Sequence, residues 1–140
     1  MKIFLGDLVH NYSKSGIWTF PLNIAYVASY AKQNLKNHNT KIEFRLFKDP
    51  TKMIEAIKNE KPDIVGLSYY VWNENLNNKV FQISKNTNKD ILTVGGGPHF
   101  TNHNANQLGA RKFFTEQPYC DSFVVNQGEK GFLELIKNYI

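Results

Sequence analysis

The sequence predicts a doubly wound α/β domain on a five-stranded parallel sheet, and three observations predict it. Short apolar runs of strand type alternate with amphipathic stretches of helical period along the whole chain, a succession that requires right-handed crossovers and hence parallel strands. Within Asp63–Tyr70 the run Ile64–Leu67 is apolar without interruption, as in a central strand covered on both faces. Lys41–Phe47 instead sets Ile42, Phe44 and Leu46 against Glu43 and Arg45, the period-two pattern of a half-exposed edge strand. With 140 residues, 41% of them hydrophobic, the chain is long enough for one core and too short for two ordinary domains.

Taken in order, Lys2–Val9 reads as a first buried strand, followed by a loop rich in Asn, Ser and Gly (His10–Gly16) and an unusually aromatic stretch, Ile17–Phe20. Pro21 fits the first turn of a helix that carries Ile24, Val27, Ala28, Ala31 and Leu35 at helical spacing through Lys36. After the edge strand, Asp49 or Thr51 caps a helix with Met53, Ile54 and Ile57 on its apolar face, ended by Glu60–Pro62. The central strand leads to a helix that begins at Asn73 or Asn75, buries Leu76, Val80, Phe81 and Ile83, and ends near Asn86–Lys89. Asp90–Val94 is a fourth strand running into Gly95-Gly96-Gly97-Pro98-His99, after which Thr101–Gln117 is weakly patterned and reads as a short irregular helix and loop. Cys120–Val125 forms the last strand, and Gly128 and Glu129 open a terminal helix carrying Phe132, Leu133, Leu135 and Ile136. No internal repeat or low-complexity linker interrupts the series. For five such strands the usual order is 2-1-3-4-5, a flavodoxin-like (Rossmann-like) sheet with strand two at an edge and ligands bound at the carboxyl ends of the strands.

Composition narrows the function classes. The single cysteine, Cys120, excludes an internal disulfide and a Cys-built zinc or iron–sulfur site from this chain alone. No run of about 18 apolar residues is present to cross a membrane, and the first residues read as a strand without a basic, cleavable leader, so a cytoplasmic protein without a membrane partner is expected. The net charge of +5 comes from lysines scattered among asparagines and not from a dense basic stripe, so no nucleic-acid partner is expected. That charge either mildly favours an anionic ligand or reflects a Lys-rich and Asn-rich composition.

Four segments with unusual content leave the predicted carboxyl ends and share one rim: His10–Gly16, Ser68–Asn73, Gly95–His99 and Gln127–Glu129. Three successive glycines after a buried strand forgo packing side chains, which suits either a backbone that must approach a ligand or a tight strand-to-loop turn. His99, held extended beside Pro98, either contacts a ligand or orders a loop, and Ser68 either donates into the crevice or bonds a neighbouring backbone group. Tyr69, Tyr70 and Trp72 offer flat faces for a large conjugated ring or a docked domain, with core packing as the rival role, and Trp18 and Phe20 add to the same rim. Paired carboxylates, a nucleophile elbow, a dinucleotide fingerprint and a P-loop are all absent, so no reaction follows from this chain and no catalytic residue is assigned.

Together, Lys61 through Asn73, Val94 through His99, and Asp121 through Gly128-Glu129 resemble the amino-terminal half of cobalamin-dependent radical-SAM proteins, over nearly the whole chain. The resemblance implies a domain that holds cobalamin at the carboxyl edge of the sheet. Ser68 and the glycines Gly95, Gly96 and Gly97 match positions that line the slot for the nucleotide tail. Tyr69, Tyr70, Val71, Trp72, Pro98 and His99 fall near the corrin ring, and Gly128 with Glu129 at the turn before the last helix. The Asp-x-His-x-x-Gly element that supplies an axial histidine in many cobalamin domains is not matched by Asp7-Leu8-Val9-His10-Asn11, so His10 is not carried over as a cobalt ligand and no metal ligand is assigned.

The Cys-x-x-x-Cys-x-x-Cys element of the radical-SAM cluster is absent along with its barrel, so the iron–sulfur cluster and S-adenosylmethionine are expected only in that missing domain. The chain reads as the amino-terminal domain of a longer enzyme, or else as a free-standing relative. Its expected role is to position cobalamin against a radical-SAM barrel in cis. The alternative is a docking domain of the same fold that binds no cobalamin and packs on a partner through Trp18, Phe20, Tyr70 and Trp72. A phospho-receiver needs an aspartate where Ser68 stands, and a flavin protein needs a richer phosphate loop than Ser13-Lys14-Ser15-Gly16.

Overall fold

A computed structural model of the chain describes residues 1–10, 20–100 and 107–140, the side chain of Gln107 excepted. The expected Trp18 contact and the Ser13–Gly16 loop lie outside the described residues. Five parallel strands, β1 (Lys2–Gly6), β2 (Glu43–Phe47), β3 (Ile64–Ser68), β4 (Leu92–Gly96) and β5 (Ser122–Val124), pair in the order β2-β1-β3-β4-β5. Between and after them run α1 (Leu22–Asn34), α2 (Pro50–Glu60), α3 (Glu74–Thr87), α4 (Gln107–Glu116) and α5 (Gly128–Tyr139). This is the doubly wound, flavodoxin-like arrangement, with β2 at one edge.

Strand periodicity divides the core into two layers. Ile3, Leu5, Ile64 and Val94 face one way and pack with Ile24, Ala28 and Ala31 of α1 and with Phe132, Leu133 and Ile136 of α5. Phe4, Val65 and Leu67 face the other way, against Met53 and Ile57 of α2, Val80 and Phe81 of α3, and Phe113 of α4. All five residues of β3 are buried, as its unbroken apolar run requires, whereas Glu43 and Leu46 of edge strand β2 reach solvent.

The element boundaries follow local chemistry. Asp49, not Thr51, caps α2: its carboxylate accepts from the amides of Thr51 (2.8 Å) and Lys52 (3.3 Å), with Pro50 in the first turn where its missing N–H costs nothing. Pro21 stands one residue before α1, at its N-cap, instead of within the first turn. Asn73, not Asn75, immediately precedes α3. The first strand stops at Gly6, short of Val9, although the Asp7 and Val9 amides still bond Phe47 and Lys48 carbonyls (2.9 and 3.2 Å). The fourth strand extends past Val94 to Gly96, because pairing with β5 continues through Gly95 and Gly96. The weakly patterned stretch after His99 contains a ten-residue helix, α4, whose aromatic face packs Phe113 against Phe100 and Phe123. Among the described residues no helix is long and apolar enough to cross a membrane.

Cys120 is buried between β4 and the α4 side, its thiol donating to the Ser122 carbonyl (3.2 Å). Burial pushes the thiol from 9.0 up to about 12, against the smaller opposing effect of backbone hydrogen bonds at Gly95 and Ser122. Burial likewise holds the Tyr69 phenol well above its ordinary value of 10.0. In the window from 9.0 to about 12 the unfolded chain has released a thiol proton that the folded chain keeps, so deprotonation favours unfolding and stability falls as pH rises. The urea midpoint is expected to hold from neutral pH to about 9 and then decline, with the decline delayed in Cys120→Ala to about 10, where Tyr69 takes over. A midpoint unchanged across that window contradicts the assignment.

Candidate functional site

A crevice of about 300 Å³ opens at the carboxyl ends of β3 and β4, on the sheet face covered by α1 and α5. Its floor is apolar: Leu5, Gly66 and Val94 from the strands, Ile24 and Val27 from α1 and Phe132 from α5. Its mouth is polar, formed by Ser68, Tyr70 and Asn23 on one side and by Asn126 and Glu129 on the other, with Gly96, Gly97 and Pro98 between. An apolar cleft with a few convergent polar groups at the carboxyl edge is the usual ligand position of this architecture.

The same period-two alternation that divides the core decides which residues reach the crevice. Ile64, Gly66 and Ser68 of β3 point toward α1 and α5, whereas Val65, Leu67 and then Tyr69 point to the opposite layer. Tyr69 therefore does not line the crevice. It is fully buried, packed near Phe81, Phe113, Phe123 and His99, and its hydroxyl donates to Asn78 (2.8 Å). Tyr70 returns to the crevice side, where Trp72 stacks on its ring with centroids 4.5 Å apart and planes at 11°. Val71 and Trp72 lie outside the crevice on the rim, 79% and 65% exposed, and Phe20 is 71% exposed, so these apolar groups are left facing solvent.

The three glycines after β4 have three different reasons. A Cβ on Gly95 would approach Phe123 Cδ2 to 2.5 Å in the opposite layer, so Gly95 is small because an aromatic ring packs over it. Gly97 has φ +114°, and a Cβ there would come within 2.8 Å of the Tyr69 carbonyl oxygen. Gly96 alone of the three has the room a ligand needs: its Cβ would point into the crevice, with Val124 the nearest residue beyond its chain neighbours, at 3.7 Å. Gly128, at the start of α5, is similarly uncrowded on the far wall, with Val27 at 3.8 Å, and Glu129 follows it.

His99 lies in a turn instead of the extended conformation expected of it, because proline restricts the residue before it, Gly97, and not the one after; there His99 is placed to order the loop. Its amide donates to the Tyr69 carbonyl (3.3 Å), and its Nε2 lies 3.5 Å from Glu74, whose other carboxylate oxygen accepts from Gln117 (2.7 Å). This chain of contacts ties the segment after β4 to α3 and to the end of α4, outside the crevice. His10 reaches the opposite end of the rim, with Nε2 3.0 Å from the Trp72 carbonyl oxygen. Among the described residues no three His, Cys, Asp or Glu side chains converge as a metal site.

Two residues at the site carry roles that the sequence does not assign them: Asn23 is not singled out there, and Asn73 only as a helix start and the end of a rim segment. Asn23, in the first turn of α1, donates through Nδ2 to both the Ser68 hydroxyl (2.9 Å) and the Tyr70 hydroxyl (3.0 Å). A polar residue between Leu22 and Ile24, in the first turn of an amphipathic helix, is its only signal in the sequence. Asn73 is fully buried: its amide donates to the carbonyls of Ser68 (2.9 Å) and Leu8 (3.2 Å), while its oxygen accepts from the Tyr70 amide (2.9 Å) and from Asn77 (3.1 Å). It thereby holds the Ser68–Asn73 turn that presents Ser68 and Tyr70.

The sequence matches the family described as B12 binding domain over residues 13–136. It is 37% identical over 76 residues to the cobalamin-dependent radical SAM methyltransferase TokK of Streptomyces tokunonensis, covering 54% of this chain and 10% of that protein. An uncharacterised methyltransferase of Pyrococcus horikoshii is 35% identical over 118 residues, covering 83% of this chain and 24% of the relative. The chain thus spans about a tenth to a quarter of the length of the curated relatives it matches. Among solved structures, the cobalamin-dependent S-adenosylmethionine radical enzyme OxsB with aqua-cobalamin bound shares the fold with a TM-score of 0.64 at 18% identity, over 99% of this chain and 19% of that one.

Proposed function

The chain belongs to the B12 binding domain family, and from that premise we propose that it is a cobalamin-holding module. The observation that carries the proposal is Gly96: a position without a side chain, lining an apolar crevice at the carboxyl edge, where a Cβ would make only ordinary contact with Val124 (3.7 Å). A crevice of about 300 Å³ is the right order for the flat base and sugar of the nucleotide tail and too small for a corrin ring, which then lies outside on the rim. The residues present fit that division. Leu5, Val94 and Phe132 exclude water beneath the base, Ser68 and Tyr70 offer hydroxyls at the mouth, and the stacked Tyr70–Trp72 pair with Val71 gives the rim an apolar face.

When bound, cobalamin supplies a cobalt centre able to accept and release alkyl groups. This chain's part is to hold and orient it. Gly96, Gly97 and Pro98 border the slot, Gly128 and Glu129 close its far wall, and His99 positions the intervening loop through Glu74. The relatives named above are several times longer than this chain, and we infer that the module works beside a radical-SAM barrel in cis, which carries the iron–sulfur cluster, S-adenosylmethionine and the reaction. Methyl transfer is the chemistry that the relatives' names favour. The protein so assembled is read as acting in the cytoplasm, without nucleic acid or membrane as partner.

The test is a titration of the chain with hydroxocobalamin and methylcobalamin, followed in parallel by the visible spectrum and by calorimetric heat. Saturable one-to-one binding supports a cofactor-holding module. Absence of both signals favours the docking domain, for which the solvent-facing Phe20, Val71 and Trp72 are the observation in hand.

A further inference from the structure

Resting on the cobalamin reading, we propose that Asn23 is a positioning residue that fixes Ser68 and Tyr70 as a pair of hydrogen-bond donors into the crevice, so that the slot selects a ligand atom that accepts. The orientation of the Asn23 amide follows from its own network. Its Oδ1 faces the Ile24 amide at 2.8 Å, an obligate donor, so the other terminus must be the NH₂ group. Both of that group's protons are committed, one to Ser68 Oγ (2.9 Å) and one to Tyr70 Oη (3.0 Å). Each hydroxyl oxygen has therefore accepted, and each keeps one proton to donate.

Among the described residues neither hydroxyl donates to another protein group, and both residues line the crevice. Burial, reinforced by the nearby Asp7 charge, raises the Tyr70 phenol above its ordinary value, so it stays protonated and able to donate at neutral pH. A single amide on α1 thus sets the polarity of two groups on the turn after β3. The complementary ligand group is an acceptor without a proton, such as the free heteroaromatic nitrogen or an ester oxygen of a nucleotide tail.

Asn23→Asp tests this by inversion. A carboxylate at that position accepts from both hydroxyls and turns their lone pairs toward the ligand, while its negative charge in the first turn of α1 favours the helix. Calorimetry on the whole chain is therefore expected to show hydroxocobalamin weakened about tenfold to a hundredfold by Asn23→Asp and only about threefold by Asn23→Ala, with a thermal midpoint for Asn23→Asp at or above that of the wild type. Cobinamide, which has the corrin but no nucleotide tail, is expected to bind all three proteins alike. In a Ser68→Ala, Tyr70→Phe background, Asn23→Asp is expected to cost no further affinity. Hydroxocobalamin binding by folded Asn23→Asp within about twofold of the wild type, or equal losses for cobinamide, overturns the inference alone. A wild-type chain that binds no hydroxocobalamin overturns the cobalamin reading itself.

Discussion

Gly96→Leu is expected to weaken cobalamin binding by about a hundredfold or more, equivalent to about 2.8 kcal/mol, while leaving the protein folded. The argument is one of direction. The Cβ of residue 96 points into the crevice and comes no nearer than 3.7 Å to Val124, so the added side chain meets ligand space before it meets protein. Gly96→Ala, with a single methyl at ordinary contact distance, is expected to change affinity far less. Gly95→Leu is the informative contrast, because its Cβ would fall 2.5 Å from a Phe123 ring carbon and the damage goes to the core. Isothermal calorimetry with hydroxocobalamin, alongside circular dichroism, separates the two glycines. Full affinity in a folded Gly96→Leu protein removes the crevice as the tail slot.

Asn73→Ala is expected to destabilise the fold by about 2–4 kcal/mol, a large effect for a residue with no apolar packing to lose. The truncation leaves the Tyr70 amide and the Leu8 carbonyl without their side-chain partner, whereas the Ser68 carbonyl keeps its bond from Asn77 (2.9 Å). Buried polar groups stripped of partners lose their solvation without recompense, and these two sit where the turn after β3 meets the end of β1. Urea unfolding measures the loss, which a change of under about 1 kcal/mol would contradict. Because Asn73 sets the turn that presents Ser68 and Tyr70, cobalamin affinity is expected to fall with it, and Asn77→Ala to have a smaller effect on both.

The architecture was legible because it rests on periodicity. The uninterrupted run Ile64–Leu67 and the alternation in Lys41–Phe47 placed β3 at the centre and β2 at the edge, and the structure has both there. The site was legible as a rim but not residue by residue. The sequence groups Tyr69, Tyr70 and Trp72, directly after Ser68, as one aromatic cluster, although the two-residue period that identifies the strand also sends Tyr69 to the opposite face from Ser68 and Tyr70. The same period separates Gly95 from Gly96: all three glycines border the crevice, but an added Cβ would meet the Phe123 ring at Gly95, the Tyr69 backbone at Gly97 with its positive φ, and only ordinary contacts at Gly96. Asn23 reaches Ser68 across 45 residues and Asn73 reaches Leu8 across 65, pairs for which local pattern holds no signal, whereas the bonds by which Asn73 holds the turn, to Ser68, Tyr70 and Asn77, are local. The helix within 107–116 was underestimated because its apolar residues serve a small aromatic cluster with Phe100 and Phe123 rather than a long stripe.

The central claim, that cobalamin seats its tail in the crevice between α1 and α5, is tested most directly by amide chemical shifts of the nitrogen-15-labelled chain titrated with hydroxocobalamin. The account predicts saturable changes centred on Ser68, Gly96, Gly97 and Gly128, with the amides of α2 and the far ends of the strands unmoved. Changes that bypass those four residues, or no changes at saturating cobalamin, would contradict it.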